Sequence, residues 1–157
     1  MKNKSVPSFN NADFHVSLKF IIKDKKGRIL LLKMPANSSM TGFYDFPGGR
    51  ISKNEVDSPF SKIIKRELRE ELGNKFSYKI AEIPVAISRH DYVSKVTNKK
   101  QYIFWVFFEA NFNKGKITLS EEHENYSWIE ITKRNYKKYF IRGPLKGIKH
   151  YLTHKLS

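Results

Sequence analysis

Between Gly42 and Gly73 the chain reads GFYDFPGGRISKNEVDSPFSKIIKRELREELG, and this stretch restricts the fold more tightly than any other. It has the pattern of a strand end, a Gly-Gly turn, a loop and a helix. Ser58 is placed to cap free backbone N–H groups, Pro59 suits a first helical position, and Gly73 suits a left-handed stop. The spacing therefore predicts a helix from Pro59 to Leu72. At about 100° per residue, Phe60, Ile64, Leu68 and Leu72 form one apolar stripe, and Glu67, Glu70 and Glu71 fall within an arc of about 100° beside it. Three carboxylates thus meet at the edge of a face that must be buried.

Charge makes this concentration conspicuous. The chain carries 30 Lys and Arg against 15 Asp and Glu, a net charge of +15, yet Glu55, Asp57, Glu67, Glu70 and Glu71 all lie between Gly49 and Gly73. Like charges at these spacings repel, so a helix leaning three carboxylates toward a core needs counter-charge. Arg66, four residues before Glu70, can neutralise one of them. A hard divalent cation suits the rest, because Mg²⁺ takes oxygen ligands and shares its shell with substrate phosphates; Mn²⁺ is the alternative. From the helix alone, a solvated face with paired Glu and Arg reads equally well. The Gly-Gly turn in front of it tips the reading toward a site.

Gly49, Glu55 and the run Arg66-Glu67-Leu68-Arg69-Glu70-Glu71-Leu72-Gly73 resemble the signature of the Nudix hydrolases, with Pro47-Gly48-Gly49 as its usual lead-in. There are two departures. Ten residues instead of seven separate Glu55 from Arg66, and Asn74 stands where the signature has an apolar residue. The extra residues belong in the loop around Lys53 to Asp57, where length changes cost little and the helical glutamates keep their register. The longer spacing leaves the role of Glu55 open.

The rest of the chain reads as one domain, residues 13–157, preceded by a polar arm, residues 1–12. Cysteine is absent, which removes disulfides, thiolate metal sites and cysteine nucleophiles. No stretch has the length and apolarity of a signal core or a membrane span, so the expectation is a cytoplasmic protein with no membrane partner. Phe14 to Ile22 and Arg28 to Met34 read as adjacent strands joined by a turn at Asp24-Lys25-Lys26-Gly27, and Pro35 to Thr41 reads as a loop. Lys75 to Tyr92 holds one or two strands, Lys95 to Lys100 is a basic loop, and Gln101 to Phe112 is apolar enough for a central strand.

A second acidic group lies in Leu119 to Glu130 and contains Glu121, Glu122, Glu124 and Glu130. With nine of fifteen acids in two segments, the sequence describes an acidic pocket in a positive surface that attracts polyphosphates. Glu122 and His123 are candidates for a general base or a further metal ligand. At the tail, Thr132 to Phe140 and Leu145 to Lys155 both read as helices, with Gly143-Pro144 as punctuation. Their interleaved Lys, Arg, Tyr and Phe residues suit either nucleic-acid contact or inward aromatic packing, and the spacing favours packing.

Strand pairs around a long helix with more helix at the end imply an α/β fold on a mixed sheet. The resemblance narrows this to a Nudix α/β/α sandwich with Mg²⁺ or Mn²⁺ held by Glu67, Glu70, Glu71 and the Gly49 carbonyl. It implies hydrolysis of phosphoric anhydride bonds in a nucleoside diphosphate linked to some moiety X. The proton of the attacking water falls to Glu67, Glu122 or His123, and Arg66 orients Glu67 or Glu70. Three alternatives remain: an RNA 5′-end pyrophosphohydrolase or decapping enzyme, a GDP-mannose-type glycosyl hydrolase, and a non-catalytic module that binds nucleotide or RNA. The acid-rich helix favours attack at phosphorus. The oligomeric state has no sequence signal.

Overall fold

The computed structural model describes residues 10–154. The N-terminal arm expected over residues 1–12 lies outside this range except for exposed Asn10 to Ala12, as does Lys155 at the end of the expected last helix.

Strand β1 (Phe14–Lys23) and strand β5 (Lys100–Gly115) form the parallel centre of the sheet, with Leu18 beside Val106 and Phe20 beside Phe108. Strand β4 (Phe76–Val93) pairs antiparallel with the far side of β5. Strands β2 (Ile29–Lys33), β3 (Tyr44–Asp45) and β6 (Asn125–Ile129) complete a mixed sheet in the order β3-β2-β1-β5-β4, with β6 also paired to β2. Residues two apart share a sheet face, so the apolar runs sort themselves into two cores. Leu18, Phe20, Ile22, Phe108 and Ala110 face helix α1 (Phe60–Leu72), while Ile21, Trp105 and Phe107 face helix α2 (Arg142–His154). The architecture is the expected α/β/α sandwich. Among the described residues, no helix is long and apolar enough to cross a membrane.

Four local expectations are corrected. Helix α1 begins at Phe60, with Pro59 itself in the cap position, so Ser58 is one residue too early and no side chain caps the helix. Phe60 is 48% exposed, and Ile63 takes its place in the buried stripe with Ile64, Leu68 and Leu72. Each such side chain contributes about 1.5–3 kcal/mol on burial, enough to hold two carboxylates in the same face. Strands β1 and β2 are adjacent and antiparallel as expected, but their pairing is confined to the turn end, Lys23 opposite Ile29, because a later segment occupies the rest of that edge of β1.

The fourth correction is in the tail. Thr132 to Phe140 is a series of turns with one short 3-10 segment, Tyr136–Lys138, and α2 starts at Arg142 and includes Gly143 and Pro144. Proline is tolerated in a first helical turn because its missing N–H has no partner there. Gly143 and Gly147 lie against Trp105 and Phe107, so the glycine that looked like punctuation is a packing residue. The tail aromatics Tyr136, Phe140 and Tyr151 are buried in the same core, in keeping with inward packing.

Candidate active site

The site starts from the edge that β2 vacates on β1. Residues 47–51 run alongside it: Phe20 N donates to Pro47 O at 2.9 Å, Leu18 N to Gly49 O at 2.9 Å, and Ile51 N to Val16 O at 3.0 Å. This close approach requires glycine. Gly48 has φ +125°, and a Cβ there would collide with the Leu18 carbonyl. At Gly49 a Cβ would meet the Glu67 carboxylate, closest to its Oε2. The Gly49 carbonyl, the backbone ligand that the resemblance implies, accepts from Leu18 N at 2.9 Å and from the Ser17 hydroxyl at 3.0 Å.

Helix α1 then delivers the acids. Glu67 and Glu71 are buried one turn apart, and the Glu70 side chain is 53% exposed. Arg66 links Glu67 to Glu70: Nη2 donates to Glu67 Oε1 at 2.8 Å and Nη1 to Glu70 Oε2 at 2.8 Å. Its other edge settles the position of Glu55, whose carboxylate takes Arg66 Nε at 2.5 Å and Nη2 at 2.8 Å. Ahead of the longer spacing, Lys53–Glu55 forms a 3-10 turn in which Glu55 also accepts from Ser52 N at 3.0 Å. The three-residue excess is thus absorbed before α1, and Glu55 still reaches the arginine. Glu71 is anchored separately, by Gly48 N on Oε2 at 2.5 Å.

The late acidic segment arrives by capping α1. Thr118 N donates to Leu72 O at 2.9 Å and Ser120 N to Glu71 O at 3.1 Å, satisfying carbonyls that a helix end leaves free. The loop that follows sets His123 Nε2 3.4 Å from Glu71 Oε1, with the imidazole 9% exposed. One ligand atom each from Glu71, Glu122 and His123 lie within 4.8 Å of one another. Glu121 and Glu124 are exposed and stand outside that group.

These residues surround a cavity of about 660 Å³, bordered by the Gly48–Arg50 turn, by Glu67, Glu70 and Glu71, and by Ser120 and Glu122. Burial pushes the Glu67 carboxyl above the ordinary glutamate value; Arg66 opposes the shift, while Glu71 and Glu70 add to it. The hydrogen bond from Arg66 holds Glu55 below that value. Arg50 also borders the cavity, but its guanidinium is turned to Tyr92, with Nη2 2.8 Å from the phenol oxygen. Four cavity carboxylates facing one inward arginine leave a surplus of negative charge, and this donor set fits a hard divalent cation.

Two supporting residues escaped the sequence reading. Lys19 is buried in β1, with Nζ 2.8 Å from Asp45 Oδ2, 3.1 Å from Phe46 O and 3.3 Å from Gly48 O, and it lies 5.2 Å from the Trp105 ring centre. It ties the strand to the turn that carries the site. The available signal was a lysine in the apolar run FHVSLKFII at a position whose alternation points inward, since a buried ammonium must be paired. Asp45 gave no comparable signal, because its partner lies 26 residues away in the chain.

Comparison with known proteins agrees with this geometry. The family model for the NUDIX domain matches residues 13–144. The 8-oxo-dGTP diphosphatase of Proteus vulgaris is 38% identical over 53 residues, 34% of this chain and 45% of that protein. The CTP pyrophosphohydrolase of Escherichia coli K12 is 42% identical over 52 residues, 33% of this chain and 36% of that protein. The matches thus span less than half the length of either relative. The solution structure of the E. coli ORF135 protein superposes with a TM-score of 0.67 over 96% of both chains at 20% identity, a likeness of fold. A family match over so much of the chain, on a frame shared end to end with a solved structure, means that this protein belongs to the Nudix family.

Proposed function

We propose that the chain is a divalent-metal-dependent pyrophosphohydrolase acting on phosphoric anhydride bonds of nucleoside diphosphate-linked compounds, with nucleoside triphosphates first among them. The observation that carries this reading is the surplus of carboxylate in one cavity, with Glu67 and Glu71 buried and Arg66 held against Glu55, Glu67 and Glu70. The named relatives act on 8-oxo-dGTP and CTP, which supports a triphosphate.

Glu70 and Glu71, with Glu67 beside them, would hold Mg²⁺ or Mn²⁺, which supplies charge neutralisation on the phosphate oxygens. Glu67 accepts the proton of the attacking water. Its raised pKa brings it closer to neutral pH, as a general base requires, and Arg66 fixes one of its oxygens while the other lies over Gly49. The water oxygen bonds to phosphorus, the bond from phosphorus to the bridging oxygen breaks, and the bridging oxygen leaves with its electron pair on the departing phosphate. Arg66 is a positioning residue, and Glu55 positions Arg66.

A second reading, action on RNA 5′ ends, draws on one observation. A groove of about 440 Å³ is lined by Glu55, Arg66, Lys62, Lys65 and Arg69; Glu55 is engaged by Arg66, and none of the other three has an acidic partner among the described residues. Turnover of a panel of nucleoside triphosphates, ADP-ribose, GDP-sugars and 5′-triphosphate RNA in ¹⁸O-labelled water tests both readings. Label on phosphate and loss of turnover in Glu70→Gln are expected. Label on sugar carbon, or unchanged turnover in that variant, would refute the assignment.

A further inference from the structure

Helix α1 covers only part of its face of the sheet. Leu18 and Phe20 on β1 are fully buried beneath it, yet Val16 and Phe14, next along the same face, are 37% and 40% exposed. The strand register sets Phe14 beside Tyr102 and Val16 beside Phe104 on β5, and both of these aromatic side chains are partly exposed. The Phe14 ring centre lies 5.6 Å from that of Tyr102 and 6.4 Å from that of Phe104. Three aromatic rings thus meet on two adjacent central strands, outside the cover of α1.

The longer spacing between Glu55 and Arg66 gives this face a wall. Val56, 73% exposed, follows the 3-10 turn and joins Ile51 in closing a mostly apolar slot of about 350 Å³ against Phe14 and Val16. That volume is at the small end of the range of about 300–1,000 Å³ for small-molecule sites, which suits one flat group. The surroundings are cationic. Lys53 lines the slot, exposed Arg89 on β4 stands beside Phe104, and Lys100 Nζ lies 5.6 Å from the Tyr102 ring centre. The nearby acids are Asp13, at the slot, and Asp91, which Lys100 engages at 3.2 Å.

We infer that this face is a stacking platform for single-stranded nucleic acid, in which Phe14, Tyr102 and Phe104 receive bases, one of them in the slot, while Lys53 and Arg89 take phosphates. Every base has a flat π face, so rings on an open sheet bind single strands with little regard to sequence, and cations beside them follow the backbone. A second copy of this chain fits the face less well, because a net charge of +15 on each partner repels, whereas a polyanion is attracted. Gly49 and Arg50 border the acidic cavity and Ile51 to Lys53 border the slot, so the two sites lie at either end of one short segment. The platform does not depend on the proposed hydrolysis.

The test measures binding of the full chain to a fluorescein-labelled oligoadenylate of about twelve nucleotides, within the span of single-strand sites. The probe has a 5′-hydroxyl end and the buffer contains EDTA, so neither an anhydride nor a metal takes part; fluorescence anisotropy reads the affinity. Phe14→Leu keeps an apolar side chain and removes the ring, and it should weaken binding about tenfold, whereas Phe14→Trp should stay within about threefold of the parent. Replacing Lys53 and Arg89 together by Gln should reduce the slope of log affinity against log salt by about 1.4. Circular dichroism checks the fold of each variant. Equal affinity of the parent and Phe14→Leu would overturn the platform and leave only attraction by net charge. Absence of binding would overturn it as well, and a parent dimer in sedimentation that Phe14→Leu dissolves would then assign the face to a second copy.

Discussion

At the scale of single residues, the glycines and the carboxylates make separable predictions. Gly49→Ala displaces the Glu67 carboxylate and leaves the backbone acceptable, since no positive φ is needed there. Turnover should fall by about 100-fold, the typical effect of misplacing a catalytic group by about 1 Å, with a loss of stability under about 1.5 kcal/mol. Gly48→Ala forces a left-handed conformation and a collision with the Leu18 backbone, so it should cost about 2–4 kcal/mol of stability. Steady-state kinetics and urea unfolding distinguish the two.

The acids differ in sign. The folded-state pKa of Glu67 is raised by burial, so its ionisation opposes folding above pH 4.5, and the penalty is complete once the pH exceeds that raised value. In metal-free buffer at pH 7, Glu67→Gln should therefore raise the melting midpoint by about 2–4 °C, no difference should remain at pH 3, and hydrolysis should be abolished. Glu55 has a lowered pKa through Arg66, so its contribution is present above pH 4.5 and disappears as the pH falls through the lowered value. Glu55→Gln should lower the midpoint at pH 7 and have no effect in strong acid. A midpoint for Glu67→Gln below that of the parent at pH 7 would contradict burial as the dominant cause.

At the scale of elements, the two helices divide structure from chemistry. Helix α1 carries the acids into the cavity, while α2 closes the opposite core, where a Cβ on Gly147 would strike the Phe107 ring. Gly147→Ala should push α2 away from the sheet at a cost of about 1–3 kcal/mol. Because this change lies on the face away from the site, kcat measured below the melting range should be unaltered. A parallel loss of kcat would mean that the sheet transmits the displacement to the Gly48-Gly49 turn.

The whole molecule adds a long-range field. A net charge of +15 surrounds a cavity lined by carboxylates, a field that attracts anions from a distance toward a locally negative pocket. Screening shortens this attraction from about 30 Å at 0.01 M salt to about 8 Å at 0.15 M. The ratio kcat/KM for a triphosphate should therefore fall several-fold across that range while kcat holds. Reversing the charge of Lys62, Lys65 and Arg69 should flatten the dependence; a slope unchanged in that triple variant would place the steering elsewhere on the surface.

The sequence by itself determined the helix with its glutamates in register, the glycine turn, the apolar runs that became β1, β2 and β5, and the family to which the chain belongs. These follow from short-range rules, periodicity and motif spacing, which depend only on neighbours in the chain. Tertiary structure alone decided that residues 47–51 displace β2 from most of β1, and that buried Lys19 ties Asp45 to the turn. It also brought Glu55 across its inserted residues to Arg66, and set His123 against Glu71 by the capping of α1 from a loop about fifty residues away. Each of these depends on which unpaired backbone groups and buried charges find partners once the sheet has formed. That competition is settled in space, between residues whose separation along the chain carries no information about their contact.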